Sequence, residues 1–246
     1  MAVLAVLLSA CTPTLGGRPA AHRAQAETQA LPSALSSPSP SPRVEPLPAR
    51  FRGIVWPFTD AFATRLGRTT WHPGCPVRLR DLRLLSLRYW GFDGRVHQGP
   101  MVVNAAVASD VVTVFRALFR ARFPIKELHL ANRYRPHVRD DPRSKADFTN
   151  GYNCRPVVTA TGPRTSWSEH AYGLAIDINP MQNPYVATGG LVYDVFARRY
   201  RNRSLHLPGM VHPGDVVVRA FAAIGWKWGG DWIGEKDYMH FSANGH

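Results

Sequence analysis

An α+β fold, with antiparallel strands and helices set apart from them, is what the sequence predicts, and three observations carry that prediction. Leu82 to Trp90 alternates as a strand does, Phe92-Asp93-Gly94 supplies turn chemistry, and a second strand follows through Gly99 to Val103, so the stretch reads as a β-hairpin. Val107, Val111, Val114, Phe115 and Leu118 then recur at helical spacing as an apolar stripe. Asp215 can cap a further helix that carries Val217, Phe221 and Ile224 on one side and ends at Gly225. The expected architecture is a single compact domain over residues 51–246, a small antiparallel sheet flanked by helices.

The other elements follow in order. Phe51 to Trp56 opens the folded part, and Ala61 to Leu66 reads as a short helix. Asn104 can cap the helix that bears the apolar stripe, and Pro124 stops it. Ile125 to Leu130 is read as a strand, and residues 131–150 as a charged surface loop. Val157 to Ala160 is an apolar run, and Leu174 to Ile178 a strand closed by Asn179-Pro180 and Asn183-Pro184. Arg198 to Arg203 is read as a solvated face within a loop-rich stretch that runs to about Pro213.

The front of the chain differs in kind. Ala2 to Ala10 is apolar but far too short to span a bilayer, and it reads as the h-region of a secretory signal over residues 1–11. Leu8-Ser9-Ala10-Cys11 resembles a bacterial lipobox, which implies a lipid on Cys11 and an extracytoplasmic, membrane-anchored location. No Lys or Arg precedes the apolar run, a departure from the signal pattern. Residues 12–50, rich in Pro, Ser and Ala around Ser37-Pro-Ser-Pro-Ser-Pro42, cannot bury enough apolar surface to offset ordering entropy and are expected to form a disordered tether.

The formal net charge of +13 has a bland source: Lys126, Lys145, Lys227 and Lys236 are the only lysines, so the basic residues are almost all arginine, as a GC-rich genome yields. The basic residues are scattered, with no five-residue basic run and no nucleic-acid-binding signature, so nucleic acid is not an expected partner. If Cys11 carries lipid, Cys75 and Cys154 remain as a pair in an oxidising compartment, and a disulfide between them is expected.

One stretch organises the chemistry, Ser168-Glu-His-Ala-Tyr-Gly-Leu-Ala-Ile-Asp177. As a strand, Leu174, Ile176 and Ile178 share one face, which leaves Asp177 on the other beside small residues, with His170 in the turn before it. A third donor is available in Asp237-Tyr-Met-His240. Neutral imidazole and ionised carboxylate are what zinc takes, and a catalytic site uses three protein ligands with one open position. The other histidines, among them His72, His97, His129, His137, His206 and His212, stand in no such motif and read as surface or core residues.

The pattern Ser-x-His-x-x-Gly-x-Ala-x-Asp followed by Asp-x-x-His resembles the D-alanyl-D-alanine carboxypeptidase family of zinc peptidases, which includes L-alanyl-D-glutamate endopeptidases. His170 to Pro180, Trp228-Gly-Gly-Asp-Trp232 and Met239-His-Phe241 are most similar to the endopeptidase branch, and the resemblance runs from about Arg52 to Phe241. It implies one Zn2+ on His170, Asp177 and His240, with Asp237 as general base where many relatives use Glu. It also implies an arginine shortly before the zinc motif, here Arg155, that holds a substrate carboxylate or steadies the oxyanion. Ser168, Tyr172, Trp228 and Trp232 are the remaining candidates for substrate contact. Glu235 and Asp231 compete with Asp237, but their spacing to His240 does not fit. The implied substrates are peptidoglycan stem peptides, and the alternative is a zinc-containing wall-binding module that does not cleave.

Overall fold

The longest ladder among the described residues is the predicted hairpin. The computed structural model describes residues 49–67, 70–131, 147–159 and 162–246, with backbone only at 158–159 and 162–164. In it, β2 (Leu82–Trp90) pairs antiparallel with β3 (Val96–Asn104), from Leu82↔Asn104 to Trp90↔Val96. β1 (Gly53–Trp56) lies on the other edge of β2, with Gly53 opposite Leu87. Period-two alternation sorts the side chains: Leu85, Leu87, Tyr89, Met101 and Val103 enter one core, while Leu82, Leu84 and Val102 face a second.

The second core holds Phe62 and Leu66 of α1 (Asp60–Gly67), together with Tyr152 and Cys154. The first is covered by α2 (Ala108–Arg120) and α4 (Val216–Ala222). Both helices start as the sequence suggests. The Asn104 side chain accepts the Ala106 N–H at 3.0 Å, where a 3-10 turn over Ala105–Val107 leads into α2. Asp215 accepts the N–H groups of Val217 and Val218 at 2.9 and 3.1 Å. Caps of this kind satisfy amides that the helix itself leaves unpaired. The predicted strand Ile125–Leu130 does not form. Only isolated bridges link Pro124 to Trp90 and Leu128 to Thr149, because Ile125 and Leu128, both buried, are spaced by three and cannot share one face of a strand.

Behind the first core sits a three-stranded sheet of order β6-β10-β8, built from β6 (Ala175–Asp177), β10 (His240–Ser242) and β8 (Lys227–Trp228). Ile176 and Phe241 oppose each other across β6 and β10 and are fully buried, with the Phe241 ring stacked 4.2 Å from that of Phe221. Two smaller ladders frame this sheet. β4 (Pro156–Thr159) pairs with β5 (Gly162–Trp167), and β7 (Tyr185–Val186) pairs with β9 (Lys236–Asp237).

The solvated-face reading of Arg198–Arg203 needs one correction. Arg198–Arg201 forms an exposed 3-10 turn, but Arg203 turns inward. Its guanidinium donates to the carbonyls of Gln182, Tyr200 and Val211 and lies 4.3 Å from the centre of the Tyr238 ring.

Residues 1–48, with the signal-like segment, Cys11 and most of the tether, lie outside the described residues, as does most of the loop read at 131–150. Among the described residues no helix is long and apolar enough to cross a membrane. The expected Cys75–Cys154 disulfide is present, with Cα atoms 5.9 Å apart and a sequence separation of 79. A cross-link over so long a loop restricts the unfolded chain. Replacing both cysteines with alanine is therefore expected to cost about 2–4 kcal/mol, read from the urea midpoint of the oxidised protein against that of the variant.

Candidate metal and catalytic site

Three local devices bring the predicted ligands together. His170 stands on a single helical turn, α3 (Glu169–Tyr172), capped at its start by Ser168, whose hydroxyl accepts the His170 N–H at 3.4 Å. Gly173 ends that turn at a φ of 68°, a conformation that favours glycine, and a Cβ there would lie 2.6 Å from the Asn104 backbone nitrogen. The chain then reverses into β6, where Asp177 is the direct cross-strand partner of His240 on β10. Directly opposed residues share a face, so their side chains meet. The His170 turn closes over the same point.

Each histidine is oriented from its outer side. Nδ1 of His170 lies 2.7 Å from the Gly151 carbonyl oxygen, and Nε2 of His240 lies 3.2 Å from that of His246. A carbonyl only accepts, so these outer nitrogens carry protons, which leaves the inner nitrogens as the atoms that face Asp177 and that a metal ion would engage. His170 Nε2 is 3.1 Å from Asp177 Oδ2, and His240 Nδ1 is 3.2 Å from Asp177 Oδ1. His170 Nε2 is buried and makes no well-formed hydrogen bond despite that approach. The donor atoms of the three residues all lie within 4.8 Å of one another. Two imidazole nitrogens and one carboxylate, two of them anchored from behind by carbonyls, fit a metal ion of the zinc type. His72, Cys75 and Cys154 also lie close together, but both sulfurs are tied up in the disulfide.

Two carboxylates in the site are driven in opposite directions. Burial alone would raise the Asp177 carboxyl, but the charges and hydrogen bonds of His170 and His240 outweigh it and hold the group far below the ordinary carboxylate range. Asp237 has no such partner. Its Oδ1 is buried without a hydrogen bond, although the residue as a whole keeps some exposed surface. Burial, opposed by His240 and aided by the Asp177 charge, pushes its pKa up to about 7, with Arg155 pulling down and Glu235 pushing up. Gly229 makes room for it: a Cβ there would come within 2.6 Å of the Asp237 carbonyl oxygen. Its position on β9 is fixed by pairing with Tyr185 of β7, and the Tyr185 hydroxyl donates to Glu235 at 3.1 Å.

The other candidates fall in several places. Arg155 reaches the electrostatic neighbourhood of Asp237, and its Nη1 donates to the Pro156 carbonyl at 3.3 Å. Tyr172 is half-buried, and its carbonyl accepts from the Asn104 side-chain amide. Trp232 lies beside the site, its ring 5.7 Å from that of His240 and its indole N–H on the Gly245 carbonyl. Trp228 is 3% exposed and packs in the core, where its indole N–H holds the Tyr238 carbonyl at 2.8 Å, and with Trp232 it also lines a cavity beside His246. His97 and His129 pair with Asp93 and Glu127 and take no part. Sequence reasoning missed Tyr185 beside Asp237 and the carbonyls of Gly151 and His246. A backbone acceptor leaves no trace in residue identity.

Residues 161–243 match the protein family described as D-alanyl-D-alanine carboxypeptidase. That stretch, about a third of the chain, contains His170, Asp177, Asp237 and His240 but not Arg155. The match falls on the segment that carries the sequence resemblance and supports it. No curated protein and no solved structure gives a significant match to the chain.

The raised Asp237 pKa gives a test of its burial in protein stripped of metal by a chelator. With an unfolded pKa of about 3.9, the folded state holds this proton more tightly, so the group costs nothing below that pH. It destabilises progressively as pH rises through about 7. In urea titrations, Asp237→Asn should therefore gain stability relative to the parent between pH 4 and pH 7 and level off above. A difference that does not change with pH would show that Asp237 ionises as freely in the fold as in water.

Proposed function

We propose that the chain is a zinc-dependent peptidase that hydrolyses amide bonds in peptidoglycan stem peptides, as a D-Ala-D-Ala carboxypeptidase or an L-Ala-D-Glu endopeptidase. The observation that supports this reading best is the convergence of the inner nitrogens of His170 and His240 on Asp177, with the unpartnered Asp237 carboxyl beside them. The family match points to the same class of substrate.

His170, Asp177 and His240 hold the metal in this reading. Zinc bound there supplies Lewis acidity, which acidifies water and polarises a carbonyl. Asp237 takes the proton of the attacking water and returns it to the leaving amine, two tasks for which a pKa near neutrality is suited. Arg155, close enough to Asp237 to bias its ionisation, holds a substrate carboxylate or the developing oxyanion. Ser168, Gly151 and His246 orient the ligands, and Tyr172 and Trp232 flank the bound peptide. A lipid on Cys11 and the Pro/Ser/Ala-rich segment after it would carry the domain outside the cytoplasmic membrane within reach of the wall.

The test is the full chain loaded with zinc, given defined muropeptides, with products read by mass spectrometry. One zinc per chain is expected, and His170→Ala should abolish its retention. Asp237→Ala should keep the metal while cleavage falls by about 10²–10⁴-fold. Loss of one terminal D-alanine identifies a carboxypeptidase, and release of a stem fragment cut after L-alanine identifies the endopeptidase. A zinc-loaded protein that yields neither product is a binding module, and the catalytic reading fails.

A further inference from the structure

Away from the metal site, the start of β1, the end of β2 and the end of α2 enclose an open cavity of about 650 Å3. Its wall carries five arginines, Arg50, Arg52, Arg116, Arg120 and Arg122, and no acidic residue. All five are exposed. None of their guanidinium groups donates a hydrogen bond within the protein or pairs with a carboxylate among the described residues. Like charges gathered without counter-charge repel one another, and an arrangement of that kind is relieved by a bound anion.

An ordinary explanation exists for arginines at a helix C-terminus, where they can cap carbonyls and offset the helix dipole. Here the carbonyls are already taken. The Ala121 N–H bonds to Ala117, the Arg122 N–H to Phe119 and the Phe123 N–H to Leu118, while the Trp90 indole N–H also reaches the Phe119 oxygen at 3.0 Å. No arginine side chain caps the helix. Two of the five are instead held over ring faces, Arg122 at 4.7 Å from the centre of Trp90 and Arg116 at 5.7 Å from that of Phe51. Phe119 packs against both rings, at 5.6 Å from Phe51 and 5.5 Å from Trp90, so the cavity has an aromatic floor. Stacking restricts the guanidinium planes and leaves their N–H edges free to donate.

Arg122 adds an independent sign. It adopts a φ of 53° just beyond the helix end, a place where glycine is the usual residue. Strain of that kind persists where the side chain matters. Here the conformation sets the Arg122 guanidinium over Trp90 at the cavity wall.

We propose that this cavity is a binding site for a ligand bearing two or more phosphate groups. Guanidinium edges match phosphate oxygens in pairs, the volume suits a small phosphorylated molecule or one segment of a phosphodiester polymer, and the rings offer a face for a sugar or glycerol unit. The site shares no residue with the metal centre and does not depend on the peptidase reading. The phosphate can come from a soluble phosphodiester or from a lipid headgroup, and the two sources are separable.

The experiment uses the full chain and two probes, oligomeric glycerol phosphate by calorimetry and phosphatidylglycerol-containing vesicles by sedimentation. A polyglutamate of matched charge is the control anion. The pocket variant is Arg52→Gln, Arg116→Gln and Arg120→Gln together. Its charge-matched counterpart is Arg80→Gln, Arg95→Gln and Arg199→Gln, all exposed and outside the cavity. Binding of at least one phosphate probe should weaken about tenfold or more in the pocket variant and change less than about twofold in the counterpart. Binding of the oligomer assigns a soluble ligand, and binding of vesicles alone assigns a headgroup. Equal losses in both variants, equal binding of polyglutamate, or no binding to either probe would overturn the proposal. Arg122→Gly, which releases the left-handed conformation, should weaken binding without lowering the melting temperature. Unchanged binding in that variant counts against the site.

Discussion

The pairing of Asp177 with His240 across β6 and β10 is the constraint on which the rest of the site depends. A strand pair repeats every two residues, so a slip of one position would carry Asp177 to the opposite face. What prevents the slip is the neighbouring pair. Ile176 and Phe241 are fully buried on the core side, and Phe241 is stacked on Phe221 of α4. The apolar core therefore holds the register, and the register delivers two candidate metal donors to one point. The third donor needs only a short turn. His170 lies seven positions before Asp177, and Gly173 reverses the chain between them.

The surroundings of the two aspartates explain why they behave differently. Asp177 is flanked by two imidazoles that accept the role of counter-charge, so it stays ionised in spite of burial. Asp237 is buried with an unpartnered oxygen and feels Asp177 as a like charge, so its proton is held to near neutrality. One environment suits a ligand and the other suits a group that must take up and release a proton. Pairs of carboxyls whose surroundings push them apart in this way mark acid–base assignments. The expense falls on stability, since no hydrogen bond to Asp237 Oδ1 offsets its desolvation and the charges of His240 and Arg155 do so only in part.

Much of this was legible in the residues. The hairpin, the helix stripes, both caps and the spacing of His170, Asp177, Asp237 and His240 could all be read because each rests on a local pattern. What escaped was non-local. Ile125 to Leu130 has strand composition, yet Ile125 and Leu128 both bury, and that spacing follows the shape of the core rather than an alternating sheet. β5 begins with Gly162-Pro163, residues that argue against a strand, and it forms as the partner of β4 in a two-stranded ladder where proline is tolerated at an edge. The bond from the Trp228 indole to the Tyr238 carbonyl, which ties the core to the strand of Asp237, also has no local pattern in the sequence.

Arg203 shows why such misreadings collect around function. By composition it belongs to an arginine run on the surface, and its neighbours Arg199 and Arg201 are indeed exposed. Its own guanidinium is drawn in among carbonyls of Gln182, Tyr200 and Val211, joins the Asn183 side chain at 3.3 Å, and covers Tyr238. Burial lowers its pKa to about 10, which still leaves it charged at neutral pH. Tyr238 separates Asp237 from the residues leading to His240, and its opposite side is held by Trp228 through the carbonyl. β9, which carries Asp237, is only two residues long in its pairing with β7, too short to be held by its ladder alone. It is fixed instead from two directions by side chains, one cationic and one aromatic. Loops with few regular hydrogen bonds keep one conformation only when buried polar groups are satisfied in this way. The charge that composition assigns to solvent is used by the fold to hold the strand of Asp237, the proposed general base, in place.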